Sequence, residues 1–598
     1  MPEYKAPIRD TKFVMQELLN CDEHYQRLGY EDASIEMVDA IISEAAKFNE
    51  QVIAPINQIG DQQGCTWTDG KVTTADGFKE AYQQYVEGGW PTLSQPIKFG
   101  GQGLPHSLNT AIGEYTSAAN HSFAMYPGLS HGCMATLEAH GSELLQKMFL
   151  PKLVEGTWTG TMCLTEAHCG TDLGLLRTKA ELNEDGTYRL NGSKIFISAG
   201  EHDLSDNIVH VVIARIPGSP EGTRGISLFI VPKFSVNEDG TLSDQNGVTC
   251  GSIEHKMGIN GSATCVINFD NATGHLIGDV NRGLNCMFTF MNAARLGVAN
   301  EGVAHADAAF QGSLAYAKDR LQMRSMSGPK NPDGPADPII VHPDVRRMLL
   351  TQKSISEGGR ALIGYLAQLV DIVHVSKDET EIAKAEANLA LLTPIGKAFL
   401  TELGLECAGH GVQIFGGHGY VQEWGMEQLM RDAKISCLYE GTTGIQALDL
   451  LGRKILGSKG ELLKGFATEI GTFCHLNSQN PDLTSYCITL GKYTEELAKH
   501  TQDIGVKAMQ NPDEVGAASV DYLMYAGYVT LAYFWVKMAK VAQQKLAEGT
   551  DETNFYQAKL KTAKFYFDRI LPRAKGHAAC MVNGGESMMT LDSEDFIF

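Results

Sequence analysis

The sequence predicts an α+β protein in which a helical region, a β region and two further helical regions follow one another. Residues 1–160 show helical periodicity, residues 161–282 contain short β-branched and aromatic runs between turns, and residues 283–457 and 458–598 are helical again. A doubly wound sheet is excluded because it needs strands and helices in alternation. We therefore expect an N-terminal α-helical domain, a middle β domain, a C-terminal α-helical bundle and an extra C-terminal helical domain.

Charge and composition exclude several classes of protein. The chain has 598 residues and a formal net charge of −22, which argues against nucleic-acid binding because that requires a broad basic surface. Any site for a polyphosphate must therefore rest on a few local cations. The thirteen cysteines form no C-x-x-C pair, so no metal site is expected and a reducing compartment is favoured. The N-terminal residues lack the apolar core of a secretory signal, so we expect a cytoplasmic protein.

Three local signals predict particular elements. Ser34 is a candidate N-cap for the helix that follows it. In "TYRLNGSKIFIS", the Asn191-Gly192 pair predicts a hairpin turn between two strands. The apolar run Tyr522–Val536 has fifteen residues, whereas a helix needs about 20 to span a bilayer. It is therefore expected to be a buried or subunit-interface helix, a membrane-surface role being the alternative.

Four stretches contain residues suited to binding or catalysis. They are "MCLTEAHCGTDLGLLRTKA" from Met162, "KIFISAG" from Lys194, "ARLGVANEG" with "YAKDRLQMR", and "GVQIFGGHGYVQEWGMEQLMRDAKISCLYEGTTG" from Gly411. Adjacent glycines let the backbone approach a ligand, and arginines fork onto phosphate groups. Each stretch also has a plainer interpretation: a loop, a strand, surface arginines in salt bridges, and a histidine used for packing. None contains G-x-G-x-x-G after a strand, so a dinucleotide would not bind in the Rossmann manner.

Glu440 is a lone acid between a tyrosine and a Gly-Thr-Thr-Gly turn. One interpretation is a helix start, because acids favour the positive end of the helix dipole. The other is a catalytic base. The surrounding residues alone leave both open.

Taken together, the four stretches resemble the acyl-CoA dehydrogenase family over roughly residues 35–455. "MCLTE…CGTD" is similar to the family's M-x-L-T-E-P-x-A-G-S-D loop, and "KIFIS" to its K-x-W-I-T strand. "QIFGGHGY", "RDAKI" and "YEGT" resemble Q-I-x-G-G-x-G-Y, R-D-A-K-I and I-Y-E-G-T, in the family's order. Ala167, Thr171 and Phe196 replace the family's Pro, Ser and Trp, and the pattern after Arg320 departs from R-x-Q-F-G. The extra C-terminal region resembles the branch with 3-methylmercaptopropionyl-CoA and bacterial fatty acyl-CoA dehydrogenases.

The resemblance implies a non-covalent FAD, held between the β domain and the C-terminal bundle and completed by a neighbouring subunit of a homodimer. The implied cofactor-binding residues are Met162, Leu164, Thr165, Phe196, Ser198, Arg320, Gln413, Gly416, Gly417 and Thr442. Arg295 and Thr171 are the implied substrate-binding residues, Arg295 toward the CoA end.

The implied reaction is α,β-dehydrogenation of an acyl-CoA in fatty acid β-oxidation, with an electron-transfer flavoprotein as acceptor. A carboxylate removes the α proton while hydride passes from the β carbon to flavin N5. Some family members carry this base just before the arginine that matches Arg295, but Ala294 stands there and residues 283–300 contain no acid. The resemblance therefore assigns the base to Glu440. The rival functions are 3-methylmercaptopropionyl-CoA dehydrogenase, acyl-CoA oxidase, and a catalytically silent flavin- or CoA-binding scaffold.

Overall fold

The computed structural model describes residues 3–597, which form two compact units. The central unit comprises residues 32–297, and the flanking unit joins residues 1–31 to residues 298–598. The N-terminal segment thus belongs with the C-terminal half of the chain, a grouping that no local sequence signal indicated. The boundaries of the four sequence-based domains stay a prediction.

Helices begin both units. The N-terminal segment contains α1 (Ile8–Lys12), a π-helical turn (Phe13–Leu18) and α2 (Cys21–Leu28). The central unit opens with the helices α3 (Ile35–Phe48), α4 (Asn57–Gln63), α5 (Phe78–Glu87), α6 (His106–Ala119), α7 (His121–His140) and α8 (Glu143–Glu155). The predicted N-cap is confirmed, because the Ser34 hydroxyl accepts a hydrogen bond from the Met37 amide at 3.3 Å.

Most of the β region follows these helices, in the place that the sequence predicts, whereas β1 and β2 lie between α4 and α5. Its strands are β1 (Thr66–Thr68), β2 (Lys71–Thr73), β3 (Trp158–Cys163), β4 (Lys179–Leu182), β5 (Tyr188–Ser198), β6 (Asn207–Arg215), β7 (Ile226–Pro232), β8 (Phe234–Val236), β9 (Leu242–Gln245), β10 (Val248–Ile253) and β11 (Thr264–Ile277). Seven of them form one sheet in the order β10-β11-β5-β4-β6-β3, and β7 pairs with both β11 and β6. β1–β2 and β8–β9 are separate antiparallel pairs.

The hairpin predicted at Asn191-Gly192 is wrong. β5 runs unbroken through both residues, and the turn lies earlier, where Asn183 and Thr187 are bonded and Gly186 has φ +86°. Gly192 instead allows the backbone to pack closely against Thr178, since a Cβ on Gly192 would lie 2.5 Å from Thr178 Oγ1. A glycine needed for close packing therefore looks the same in sequence as a glycine needed for a turn.

Helices make up the rest of the chain. They are α9 (Gly283–Asp319), α10 (Pro343–Val375), α11 (Glu379–Phe415), α12 (Met426–Ser436), α13 (Thr443–Leu448), α14 (Glu461–Leu476), α15 (Thr484–Ala508), α16 (Asp513–Glu548), α17 (Thr553–Phe565), α18 (Ala574–Val582) and α19 (Glu586–Met589). Residues of α9 up to Gly297 belong to the central unit and the remainder to the flanking unit.

The apolar run Tyr522–Val536 forms the middle of α16, and nearly all of it is buried within this chain. The Trp535 indole donates to the Ser354 carbonyl at 3.1 Å, which ties α16 to α10. The expectation of a buried helix is confirmed. Within residues 3–597, no helix combines the length and the apolar character that a bilayer crossing needs.

A buried charge cluster joins the N-terminal segment, α10 and α17 inside the flanking unit. Lys559 donates to Asp10 and, at 2.9 Å, to Glu357, while Arg360 donates to Asp10 and, at 3.0 Å, to Asp307. All five side chains are buried. Burial alone would raise the pKa of Asp10, but the two cations outweigh it and hold the pKa at about 2.

Lys559→Met should lower the melting temperature of the protein. It leaves Asp10 and Glu357 buried without this partner, and breaking such a pair typically costs about 3–5 kcal/mol. The stabilisation from Asp10 is present above its unfolded pKa of 3.8 and is lost as the pH falls toward 2, so the variant should also unfold at higher pH during acidification.

Lys564→Met is the matched control. It lies on the same helix but pairs at the surface with Asp568, and we expect little change. Equal melting temperatures for the two variants would contradict a structural role for the cluster.

Candidate functional site

The first two sequence motifs meet in the central unit. β3 ends at Cys163, and the next residues lie beside β5, where the Ile195 amide donates to the Thr165 carbonyl at 2.9 Å. The Lys194 ammonium is fully buried and donates to the Leu164 carbonyl at 3.0 Å and to Glu166 Oε1 at 2.8 Å. A single lysine therefore fixes the backbone of the predicted flavin loop.

Glu166 is held by donors on several sides. Besides Lys194, its carboxylate accepts from the Arg177 amide at 2.8 Å, the Thr178 amide at 3.0 Å and the Thr178 hydroxyl at 2.7 Å. Burial favours a raised pKa, but Lys194 and these donors hold the pKa of Glu166 at about 2. Burial lowers the pKa of Lys194, which its partner carboxylate opposes. The Glu166 carboxylate therefore connects the turn after β3 to Lys194 on β5 and to Arg177 and Thr178, which precede β4.

Glu166 also lies near His168 and Cys169, with potential ligand atoms within 4.8 Å of one another. The carboxylate is already engaged by the donors above, and burial raises the pKa of the Cys169 thiol. A protonated thiol and an occupied carboxylate are poor metal ligands. The grouping follows from the tight turn in which Glu166 and Cys169 exchange backbone hydrogen bonds.

Phe196 lies in an irregular part of β5, where the register against β11 shifts. Its φ is +59° and its side chain is 59% exposed. A bulky residue in the left-handed region is an outlier, and such outliers cluster at functional sites. Ser198, two residues later, is half-buried and pairs with Thr264. The backbone conformation thus leaves the Phe196 ring exposed to solvent beside the Leu164-Thr165 loop.

The glycine motif after α11 has two kinds of glycine. A Cβ on Gly416 or Gly417 would meet nothing within 4 Å, whereas one on Gly419 would lie 2.3 Å from the Val412 carbonyl oxygen. Gly416 has φ +61°, and Gln413 is exposed on the same segment. Gly419 serves packing, while Gly416 and Gly417 leave the backbone open at this position.

His418 packs within an aromatic group in the flanking unit. Its ring stacks on Trp424 at 4.4 Å, and its Nδ1 lies 2.9 Å from the Tyr316 hydroxyl. Tyr316 in turn stacks on Phe415 at 4.1 Å. The packing interpretation of His418 is confirmed, and the same rings hold the glycine loop in place.

Glu440 lies in the loop between α12 and α13 and is exposed. α13 begins at Thr443, and no acid lies in its first turn. The helix-start interpretation is therefore wrong. Gly441 has φ +72°, a backbone conformation that favours glycine, and a Cβ there would lie 1.9 Å from the Gln446 side-chain amide.

Side chains on both sides of Glu440 are anchored. The Tyr439 hydroxyl donates to Glu301 Oε2, which also accepts from Ser436 Oγ at 2.8 Å. The Thr443 hydroxyl donates to Glu402 Oε1 at 2.6 Å. Burial, together with Glu301, raises the pKa of Tyr439 well above 10.0, so this phenol stays a donor. The exposed acid thus projects from a constrained loop.

The predicted anion-binding residues lie in different settings. Arg295 is 9% exposed, and its guanidinium lies 6.0 Å from the centroid of the Phe288 ring. Arg320 is exposed at the end of α9, and Arg324 donates to the Asn331 and Gly334 carbonyls of its own loop. Thr171 is exposed, and the Thr442 side chain makes no capping bond to α13. For Arg324, the plainer structural interpretation holds.

The predicted residues divide between the two units. Met162, Leu164, Thr165, Thr171, Phe196, Ser198 and Arg295 belong to the central unit, and Arg320, Gln413, Gly416, Gly417, Glu440 and Thr442 to the flanking unit. Sequence reasoning missed the Glu166–Lys194 pair and Glu301. The signal for the first was a lysine in the same alternating, inward series as Tyr188 and Leu190 of β5.

Lys194→Met should destabilise the central unit and lower its flavin content. It leaves Glu166 buried without its cation, at a typical cost of about 3–5 kcal/mol. The contribution of Glu166 is present above pH 4.5 and is lost as the pH falls toward 2, so the difference from wild type should be largest near neutral pH.

Melting temperature and flavin absorbance measure these two effects. Lys179→Met, an exposed position on β4, is the control and should behave like wild type. Unchanged flavin content in Lys194→Met would contradict the proposed support of the loop.

Comparisons with known proteins agree with this geometry. Family models match four consecutive segments: acyl-CoA dehydrogenase N-terminal domain (residues 36–157), middle domain (161–272), C-terminal domain (281–456), and acetyl-CoA dehydrogenase C-terminal like (466–592). The chain is 40% identical to 3-methylmercaptopropionyl-CoA dehydrogenase of Ruegeria pomeroyi, covering 98% of this chain and 99% of that protein. It is 32% identical to the broad-specificity linear acyl-CoA dehydrogenase FadE5 of Mycobacterium tuberculosis, over the full length of both.

A solved structure shares the fold. It is an acyl-CoA dehydrogenase from Bacillus anthracis complexed with FAD, which superimposes with a TM-score of 0.76 at 22% identity, covering 92% of this chain and 89% of that one. The match of all four family models in order, with the full-length identity to two dehydrogenases, decides the classification. This chain belongs to the acyl-CoA dehydrogenase family, in the branch with an extra C-terminal domain.

Proposed function

We propose that this chain converts an acyl-CoA thioester to the trans-2-enoyl-CoA, with Glu440 as the base that removes the α proton. The observation that supports this most is the placement of Glu440. It is exposed, it lies outside any helix start, and hydrogen bonds anchor the residues on both sides of it. A carboxylate on a fixed support is what proton abstraction requires.

The thioester carbonyl acidifies the neighbouring α C–H bond. A single carboxylate therefore suffices for proton removal, provided that the substrate holds this carbon against it. No acid lies in residues 283–300, where some relatives carry their base, so the resemblance to the family assigns this role to Glu440.

Acyl-CoA dehydrogenases are FAD-dependent, and the residues present fit the cofactor. Phe196 presents an open aromatic ring, and Gly416 and Gly417 present open backbone. When bound, FAD accepts the hydride that leaves the β carbon. We propose that the chain holds it through Met162, Leu164, Thr165, Phe196, Ser198, Arg320, Gln413, Gly416, Gly417 and Thr442.

Arg295 and Thr171 are the proposed contacts to the substrate, with Arg295 toward its CoA part. A focused cation suits an anionic ligand in a chain of net charge −22. We further propose a homodimer that works in β-oxidation in the cytoplasm. Thirteen cysteines, none in a disulfide among the described residues, suit a reducing compartment.

A second candidate substrate is 3-methylmercaptopropionyl-CoA. The 40% identity to the Ruegeria pomeroyi enzyme over nearly the whole chain supports it, while the FadE5 relative is named for linear acyl-CoAs. A panel of acyl-CoAs from C4 to C18, together with the thioether substrate, separates the two by their relative kcat/KM with an artificial acceptor.

Glu440→Gln should abolish reduction of the bound flavin by acyl-CoA. The amide keeps the size of the side chain but cannot take a proton, and general-base contributions are typically ~10²–10⁴-fold. Rapid anaerobic mixing measures the rate of flavin bleaching, and the variant should remain yellow while still binding acyl-CoA.

Glu461→Gln, an exposed acid at the start of α14, is the control and should bleach like wild type. Bleaching of Glu440→Gln at the wild-type rate would show that the base lies elsewhere.

The proposed electron acceptor is an electron-transfer flavoprotein. The sequence contains no second redox motif that would pass electrons onward. Turnover should therefore depend on added acceptor, with little hydrogen peroxide formed in air. Peroxide produced in proportion to substrate would instead identify an acyl-CoA oxidase.

A further inference from the structure

Lys397 is a lysine whose charged group lies inside the flanking unit. It belongs to α11 and its side chain is fully buried. Its ammonium donates to the Gly441 carbonyl at 2.7 Å and to the Tyr439 carbonyl at 3.4 Å. These are the backbone carbonyls of the residues on either side of Glu440.

Burying an ammonium is costly unless its donors are satisfied. Lys397 satisfies two of them on one short loop, and its Nζ also lies 5.8 Å from the centroid of the Tyr439 ring. A lysine used only to fill the core would not need acceptors on both sides of one exposed acid. The arrangement instead fixes the Tyr439–Glu440 peptide group, from which Glu440 projects, and the Gly441–Thr442 peptide group just after it.

We propose that Lys397 is the positioning residue for the base: its ammonium holds the Tyr439 and Gly441 carbonyls and so fixes the direction of the Glu440 side chain. This inference rests on the proposed role of Glu440. The Tyr439 and Thr443 side chains anchor the same loop to Glu301 and Glu402. Lys397 differs from these two side chains because it donates hydrogen bonds to the backbone of the loop itself.

Small displacements of a reacting group lower the reaction rate strongly, since a shift of about 1 Å can reduce it by 10²-fold. Lys397→Met keeps an unbranched apolar side chain of similar length and removes the donors. We expect it to slow anaerobic flavin reduction by about ten- to a hundredfold. Affinity for the enoyl-CoA product should change little, because the acyl- and CoA-binding residues proposed above are untouched.

Two further variants keep the test specific. Lys397→Gln retains an amide donor and should recover part of the lost rate. Lys559→Met removes another buried lysine of the same unit, so it controls for lost stability; below its melting temperature it should be reduced at the wild-type rate per bound flavin. If Lys397→Met does not fold, the Gln variant and Lys559→Met still give the comparison.

The rate of reduction per bound flavin decides the outcome. Wild-type rates in Lys397→Met or, where that variant does not fold, in Lys397→Gln would overturn the inference, as would a loss of rate equal to that of Lys559→Met. Glu440→Gln separates this from the proposed function. If that variant loses reduction while Lys397→Met keeps it, only the role of Lys397 fails. If Glu440→Gln is reduced normally, the base assignment fails first.

Discussion

The ion pair between Lys194 and Glu166 is the interaction on which the predicted flavin loop depends. It joins β5 to the turn after β3, and through the Leu164 carbonyl it fixes the backbone that leads into that turn. Both partners are buried, so neither charge is stable without the other. The ion pair within the sheet therefore determines the geometry of this loop. Phe196, on the same strand as Lys194, exposes its side chain to solvent.

Buried lysines also connect distant segments in the flanking unit. Lys397 holds the loop that contains Glu440, and Lys559 holds the N-terminal segment against α10. Apolar residues of similar volume often replace buried ion pairs without loss of stability, so stability alone does not explain why such charges are buried here. In this chain each buried lysine connects segments distant in sequence, and in two cases the connected loop contains residues assigned to the site.

The order of helical and β regions was predictable from sequence because it depends on local periodicity. α16 followed from an uninterrupted apolar run, and the start of α3 from Ser34. The absence of a hairpin at Asn191-Gly192 was not predictable. Gly192 packs closely against Thr178, which lies on a neighbouring part of the sheet, and the local sequence does not show this contact. Local patterns determine element type, whereas the reason for an individual glycine lies in contacts that the sequence does not display.

The candidate site shows the same division. Glu440 and the glycines at 416 and 417 were proposed as site residues because their motifs resemble those of a known family, and their exposure is compatible with ligand contact. Their supports were missed: Lys194, Lys397 and Glu301 act through bonds to residues from 28 to 138 positions away. Residues that touch a ligand form short motifs because they cluster on loops. Residues that hold those loops are spread over the chain, since rigid support comes from the helices and strands packed behind them.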